Sequence, residues 1–270
     1  MPVIETPHLA MPKLGLGTWA LKGAECARAV AEAIDLGYRH IDTAEMYGNE
    51  EAVGQGLRAA SVPREQVFVT TKVWWENVAA PDRALEASLK RLGLDYVDLF
   101  LIHWPNPAVP LAPTLAMMEV LKERGLCRAI GVANFTPRLL GAAIATGAPI
   151  AANQVEYHVM LGQDRLLALC RAKGIVLTAY SPLGKGGLVD DPVLARIGRK
   201  HGVSGAQVAL AWLFGQEMVA AIPKSERAEN MRANLAALSL RLDEKDLSAI
   251  AALPKDRRFV NPAFAPDWSD

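Results

Sequence analysis

The chain has 270 residues, 51% of them hydrophobic and 21% charged, with 29 basic residues set against 29 acidic ones. This length and apolar content allow a sizeable core, and α/β barrels of roughly 250 residues commonly fold as one unit, so a single domain over residues 1–270 is expected. A surface without net charge suits neither nucleic acid nor an anionic membrane, and neither is an expected partner.

Along the chain, short β-rich runs alternate with helical periods, with no linker or low-complexity segment between them. Strand-like runs fall at 14–17, 38–42, 67–72, 97–103, 128–132, 152–155, 176–181 and 219–222, eight in all. After the first run, Ala27, Val30 and Ile34 recur at helical spacing until Gly37 stops them. After the third, Leu85, Leu89 and Leu92 repeat the pattern, with Pro81 near the helix start and Gly93 just past its end. The long interval after the seventh run needs an extra helix, predicted at 192–201, before one beginning near Ser204; another is predicted from near Ala228, with additional helix at the C-terminus. Such alternation fits a closed parallel (β/α)₈ barrel or a doubly wound open sheet, and periodicity does not choose between them.

Residues 1–10 lack the apolar stretch of a secretion signal, and the most apolar runs are broken by Gly147 and Pro149 or by Gln216 and Glu217, so a cytoplasmic protein is expected. Cys26, Cys127 and Cys170 are odd in number and far apart. They fit neither a disulfide framework nor a zinc pattern, and read as small buried hydrophobes with no metal site.

Gly15-Leu16-Gly17-Thr18-Trp19-Ala20 matches the glycine fingerprint of open-sheet dinucleotide folds, and Asp42 lies at about the expected distance beyond it. That fingerprint needs a buried strand just before its glycines, whereas Met11-Pro12-Lys13 stands there and Pro12 donates no ladder hydrogen bond, so the match reads as accidental. No tyrosine has a lysine four residues later, as a short-chain dehydrogenase would need. Polar groups do end successive strands: Asp42 and Tyr47 after the second, Lys72 at the third and His103 at the fourth. In a closed barrel these would converge on the carboxyl-end mouth, where barrel enzymes keep their chemistry.

Those residues sit in runs that resemble the aldo-keto reductase superfamily. The runs are Gly15-Leu16-Gly17-Thr18-Trp19, Ile41-Asp42-Thr43-Ala44 with Tyr47-Gly48-Asn49-Glu50, Thr71-Lys72-Val73-Trp74, and Asp98 through His103-Trp104-Pro105. Ile130-Gly131-Val132-Ala133-Asn134-Phe135, Asn153-Gln154-Val155-Glu156-Tyr157-His158, Ala179-Tyr180-Ser181-Pro182-Leu183 and Ile222-Pro223-Lys224-Ser225 continue the likeness over nearly the whole chain. The resemblance implies a (β/α)₈ barrel in which Asp42, Tyr47, Lys72 and His103 are a catalytic tetrad. It also implies NADP(H) as cofactor, held by Thr18, Asp42, Asn134, Gln154, Tyr180, Ser181, Leu183, Lys224, Ser225, Arg227 and Asn234. Trp19, Trp74 and Trp104 are expected to line the substrate pocket.

The chemistry of these residue types agrees. A carbonyl accepting hydride gains charge on oxygen, and an acid placed to protonate it is worth about 10²–10⁴ in rate. Tyr47 is the expected acid; an ammonium about 4 Å away would lower a phenol's pKa by roughly 3, and Lys72 is expected to supply it, held charged by Asp42. His103 would orient the carbonyl. Tyr180 offers a flat face for a nicotinamide, Asn134 and Gln154 can bond its carboxamide, and Lys224, Ser225 and Arg227 precede a helix start suited to a ribose phosphate.

Asn230 stands where many members of the family have an arginine that grips that phosphate, Ala133 where a serine is common, and Val159 where a proline is. Within the family the chain is similar to a bacterial subgroup acting on 2,5-diketo-D-gluconate and methylglyoxal, which shares the asparagine and whose short tail implies an open pocket. The expectation is therefore a monomeric NADPH-dependent reductase of small polar aldehydes, ketones or α-dicarbonyls. The alternative is a barrel that keeps the nicotinamide as a redox sensor or partner subunit without turnover.

Overall fold

The computed structural model describes residues 1–269 and begins with a hairpin that the periodicity did not reveal. Strands β1 (Val3–Glu5) and β2 (Ala10–Pro12) pair antiparallel, and Thr6 Oγ1 accepts the N–H groups of His8 and Leu9 in the turn between them. Each strand is three residues long and two prolines lie close by, so no alternating pattern marks them. Their inward side chains, Ile4 and Met11, share a cluster with Phe68, Leu99, Ala129, Val176 and Ala220. The hairpin thus plugs the amino-end floor of the sheet that follows.

That sheet holds β3 (Leu16–Gly17), β4 (His40–Asp42), β5 (Phe68–Val73), β6 (Val97–Ile102), β7 (Cys127–Ala133), β8 (Ile150–Glu156), β9 (Val176–Tyr180) and β10 (Val219–Ala221), each parallel to the next. Its two ends meet. Gly15 N–H donates to the Ala221 carbonyl at 2.9 Å, Ala221 N–H to Lys13 at 2.9 Å, and Gly17 N–H to Pro223 at 3.2 Å. The ladder therefore closes into a barrel, which settles the choice that periodicity left open. This seam also explains the glycines of the apparent fingerprint. A Cβ on Gly17 would lie 2.6 Å from the Ile222 carbonyl oxygen, and one on Gly15 would lie 2.7 Å from the His40 ring. They serve strand closure in a parallel barrel, where no phosphate turn is formed.

The helices follow in register: α1 (Gly23–Asp35), α2 (Glu50–Ala59), α3 (Pro81–Leu92), α4 (Leu111–Glu123), α5 (Pro137–Ala145), α6 (Asp164–Lys173), α7 (Pro192–His201), α8 (Gly205–Phe214), α9 (Ala228–Ala236) and α10 (Glu244–Ala251). The extra helix after the seventh barrel strand is α7, over the residues expected, and α10 is the C-terminal addition. Local chemistry sets several ends: Pro81 opens α3 and Gly93 closes it in the left-handed conformation, while Ser204 and Gln207 form a reciprocal cap on α8.

Strand alternation divides the core in two. Leu99 and Leu101 of β6 face the barrel interior, whereas Phe100 and Ile102 face Leu85, Leu89, Leu115 and Met118 on the helices. Cys26, Cys127 and Cys170 are free thiols in this packing, pushed by burial to pKa values of about 11, about 12 and about 12. Among the described residues no helix is long and apolar enough to cross a membrane.

Candidate active site

At the carboxyl-end mouth, β4 ends in Asp42, β5 carries Lys72 one residue before its end, and His103 follows β6 directly. Tyr47 reaches them from a 3₁₀ turn, Glu45–Tyr47, that leaves β4. Three contacts fix this turn. Gly48 terminates it with φ 58°, Glu45 accepts the Trp74 N–H at 2.8 Å and the Asn77 amide at 2.7 Å, and Lys22 bonds the Tyr47 carbonyl. Asn49 joins the first two loops, donating to the carbonyls of Thr18 and Leu21 at 2.9 and 3.1 Å and accepting Thr43 Oγ1 at 2.7 Å. Glu45 and Asn49 had been assigned no role from sequence, although Asn49 lies inside the Tyr47-Gly48-Asn49-Glu50 run.

The tetrad side chains meet as the resemblance implied. Lys72 Nζ lies 2.5 Å from Asp42 Oδ1, 2.8 Å from the Thr43 carbonyl and 3.3 Å from Tyr47 Oη, so an ammonium finds an acceptor for each of its three protons. Asp42 Oδ2 accepts the Gln154 side-chain amide at 2.7 Å. The pair is fully enclosed, with side-chain exposures of 0% and 1%. Burial raises the Asp42 carboxyl and lowers the Lys72 ammonium, each opposed by attraction to the other. The geometry suits the ionised pair, because three acceptors surround Lys72 Nζ and the second carboxylate oxygen accepts the Gln154 amide, which cannot reverse its role.

One expectation is overturned. Tyr47 is not acidified: burial of its hydroxyl, and then the Asp42 carboxylate, push its pKa well above the ordinary 10. Lys72 is nearer to Asp42 than to Tyr47, so the phenol faces an ion pair whose charges largely cancel rather than a lone ammonium. His103 moves the other way: burial first and Lys72 second hold it well below 6.5, as a neutral imidazole. Its Nδ1 is buried without a partner among the described residues, and its ring meets Tyr47 and Trp74 edge to face at 5.6 and 5.4 Å.

Residues expected to hold the dinucleotide continue from this centre. Thr18 Oγ1 donates to the Asp42 carbonyl at 2.9 Å; Asn134, in the left-handed region at φ 62°, bonds the His103 carbonyl at 2.9 Å and accepts Tyr180 Oη at 2.8 Å. Ser181 follows Tyr180 with φ 46°, turning the chain toward Leu183 and the 3₁₀ turn Gly184–Gly186. Lys224 pairs with the first barrel strand through Gly17, which brings the segment before α9 to the mouth. There Ser225 Oγ accepts the Arg227 N–H at 3.2 Å, and α9 starts at Arg227 with no side-chain cap on its first N–H groups. Lys224 and Arg227 are solvent-exposed beside Glu226 and Glu229 at 3.3 and 2.9 Å. Asn234 is buried and turned to the Tyr38 hydroxyl. An uncapped helix start preceded by two cations at one end, and a tyrosine ring with two fixed carboxamides at the other, fit a nicotinamide dinucleotide.

Of the tryptophans, Trp19 is 50% exposed and packs edge-on to Tyr47 at 5.0 Å, and Trp74 touches His103. Trp104 is buried one layer back, against Phe264 and Trp268. The short tail brings Phe264 beside this mouth, with ring centroids 5.6, 5.4 and 5.5 Å from Trp74, Trp75 and Trp104, while Tyr47 remains half-buried.

The match to known proteins agrees with this geometry. Residues 13–255 match the aldo/keto reductase family. The chain is 43% identical over 267 residues to methylglyoxal reductase DkgB of Salmonella typhimurium, covering 96% of this chain and all of that one. It is 39% identical to the glycerol 2-dehydrogenase (NADP(+)) of Saccharomyces cerevisiae over 95% of this chain and 92% of that one. A crystal structure of a candidate 2,5-diketo-D-gluconic acid reductase B superposes with a TM-score of 0.96 at 38% identity, covering 99% and 97% of the two chains. A closed barrel carrying this constellation, matched over almost its whole length, belongs to the aldo/keto reductase family of nicotinamide-using oxidoreductases that act on carbonyl compounds.

Proposed function

We propose that this protein reduces small polar aldehydes, ketones and α-dicarbonyls, of the methylglyoxal or 2,5-diketo-D-gluconate type, with NADPH as cofactor and Tyr47 as proton donor. The observation that carries this reading is the Tyr47 hydroxyl 3.3 Å from a buried, Asp42-bound Lys72, beside a neutral His103. When bound, the nicotinamide supplies the hydride. Tyr47 keeps its proton because its pKa is raised, and gives it up only to the alkoxide that develops, a far stronger base than a phenolate. Lys72 then lies within reach of the phenolate left behind. His103, uncharged, can hydrogen-bond the carbonyl oxygen and orient it without stabilising a resting anion.

Lys224, Ser225, Arg227 and the start of α9 would take the ribose phosphate, which favours NADPH, and the NADP(+) named for the yeast relative agrees. Asn230 lies in the first turn of α9, where its amide can add a hydrogen bond but no charge. Methylglyoxal, named for the Salmonella relative, supports the substrate class. A barrel that only stored the cofactor would have no use for a buried lysine–carboxylate pair, whose desolvation costs several kcal/mol per ion. We place residues 1–270 in one barrel domain, acting as a monomer; exposed large apolar side chains such as Met46, Val189 and Leu247 lie on different elements, and Met117 and Val120 form a single pair one turn apart on α4.

Replacing Tyr47 by Phe tests the assignment. With NADPH affinity unchanged, kcat for methylglyoxal should fall by about 10²–10⁴. Near wild-type turnover would remove Tyr47 from the mechanism.

A further inference from the structure

Glu156, the last residue of β8, is fully buried and has no part in the proton transfer above. Its carboxylate is engaged on both oxygens by the chain's own C-terminal segment: Oε1 accepts the Phe259 N–H at 2.8 Å and Oε2 the Val260 N–H at 2.9 Å. His158 Nδ1 accepts the Met160 N–H at 3.3 Å, which leaves Nε2 to donate to Glu156 Oε1 at 3.1 Å. Arg258, 3.9 Å from Oε2, lies over the Trp268 ring at 3.7 Å, and Trp268 Nε1 donates to Asn261 Oδ1 at 2.9 Å. Two successive backbone N–H groups on one anion form a nest, and charge-assisted bonds of this kind are among the strong ones. Here the anion is built in, and what it holds is a strap running beside the mouth.

The strap delivers Phe264. One side of this ring meets Trp74, Trp75 and Trp104, and Trp74 in turn touches His103. Phe264 also lines a mainly apolar cavity of about 400 Å³, walled by Ile102, Phe135 and Leu139 with Arg138 and Asp267 among its polar residues, and containing none of the tetrad. Phe264 and Trp74 thus stand in series between that cavity and His103, and the cavity has room for a hydrocarbon chain.

We propose that Glu156 is a positioning residue that sets the substrate size limit: by clamping Phe259 and Val260 it keeps Phe264 closed between the mouth and that cavity. Small polar carbonyls are then admitted while apolar extensions are refused, and refusal by a fixed obstacle is a common source of specificity. The inference rests on the mouth of the tetrad being the substrate site.

The test compares kcat/KM for a long straight-chain aldehyde with kcat/KM for methylglyoxal. Glu156→Gln sets an amide N–H₂ against one of three N–H donors, breaking the clamp at one point. The ratio should rise about fivefold to tenfold through a lower KM for the long aldehyde, while kcat on methylglyoxal stays within about twofold of wild type. Phe264→Ala should give a similar rise, and the double variant should add nothing to Phe264→Ala alone, because both act through one ring. An unchanged ratio in soluble Glu156→Gln, a uniform loss on both substrates, or additive effects in the double variant would overturn the proposal. Should Glu156→Gln not fold, Val260→Pro deletes one clamped N–H and leaves the carboxylate intact; no rise in the ratio there overturns it as well. Failure of the wild type to reduce methylglyoxal is a different result, and it would remove the reading of the site itself.

Discussion

Tyr47 shows how a single side chain changes the expected chemistry. A lone ammonium would have made it acidic, but an ion pair and burial make it a reluctant acid. The reductive direction needs the protonated phenol, and a raised pKa keeps it protonated until well into the alkaline range. Reduction of methylglyoxal should therefore hold a level kcat from about pH 6 to about pH 9, with no acid limb from His103, whose lowered pKa leaves it neutral throughout. The reverse oxidation needs the phenolate and should climb with pH over the same span. An alkaline loss of reduction near neutrality would contradict this account.

His40 makes a similar statement about stability. It is buried inside the barrel with its pKa pushed down to about 3 by desolvation, and then by Lys72. The unfolded chain therefore binds a proton that the folded chain refuses between about pH 6.5 and about pH 3, and stability falls as pH drops through that window. From neutrality to pH 5 the cost is about 2 kcal/mol. Urea unfolding at the two pH values should show that loss, and a folded His40→Gln variant should be spared about that much of it.

At the scale of elements, two segments carry separable tasks. The segment before α9 concerns the phosphate, so Arg227→Ala should raise KM for NADPH about tenfold and leave KM for NADH nearly unchanged; equal losses on both would place the phosphate elsewhere. The seam between β3 and β10 concerns closure. Adding a Cβ at Gly17, 2.6 Å from a backbone oxygen, should cost about 1–3 kcal/mol in unfolding free energy.

Helices with a stripe of apolar residues and a start or stop signal were legible in sequence, as α3 and α7 show, and their ends agree within a residue. Strand limits were less so, because the last barrel residue is set by pairing with a neighbour: β8 runs over Ile150–Glu156 rather than 152–155, and His103 and Ser181 fall just outside their strands. The tetrad could be read because its members end successive strands. What could not be read depends on partners far away in the chain. Glu156 gains its meaning from two N–H groups more than a hundred residues later, and Phe264 from three tryptophans on other loops. The hairpin β1–β2 was too short to declare itself.

For the molecule as a whole, closure comes last. The backbone bonds that join Gly15 and Gly17 to Ala221 and Pro223 link residues some two hundred positions apart. During synthesis, the edge of β3 has no second neighbour until Val219–Ala221 has left the ribosome, and the growing edge on the other side changes with every new strand. Any sheet formed before that point would be open and parallel with two bare borders, each a template for the wrong strand. The gap that a single short strand finally fills is where misassembly, and protection by a chaperone, would act.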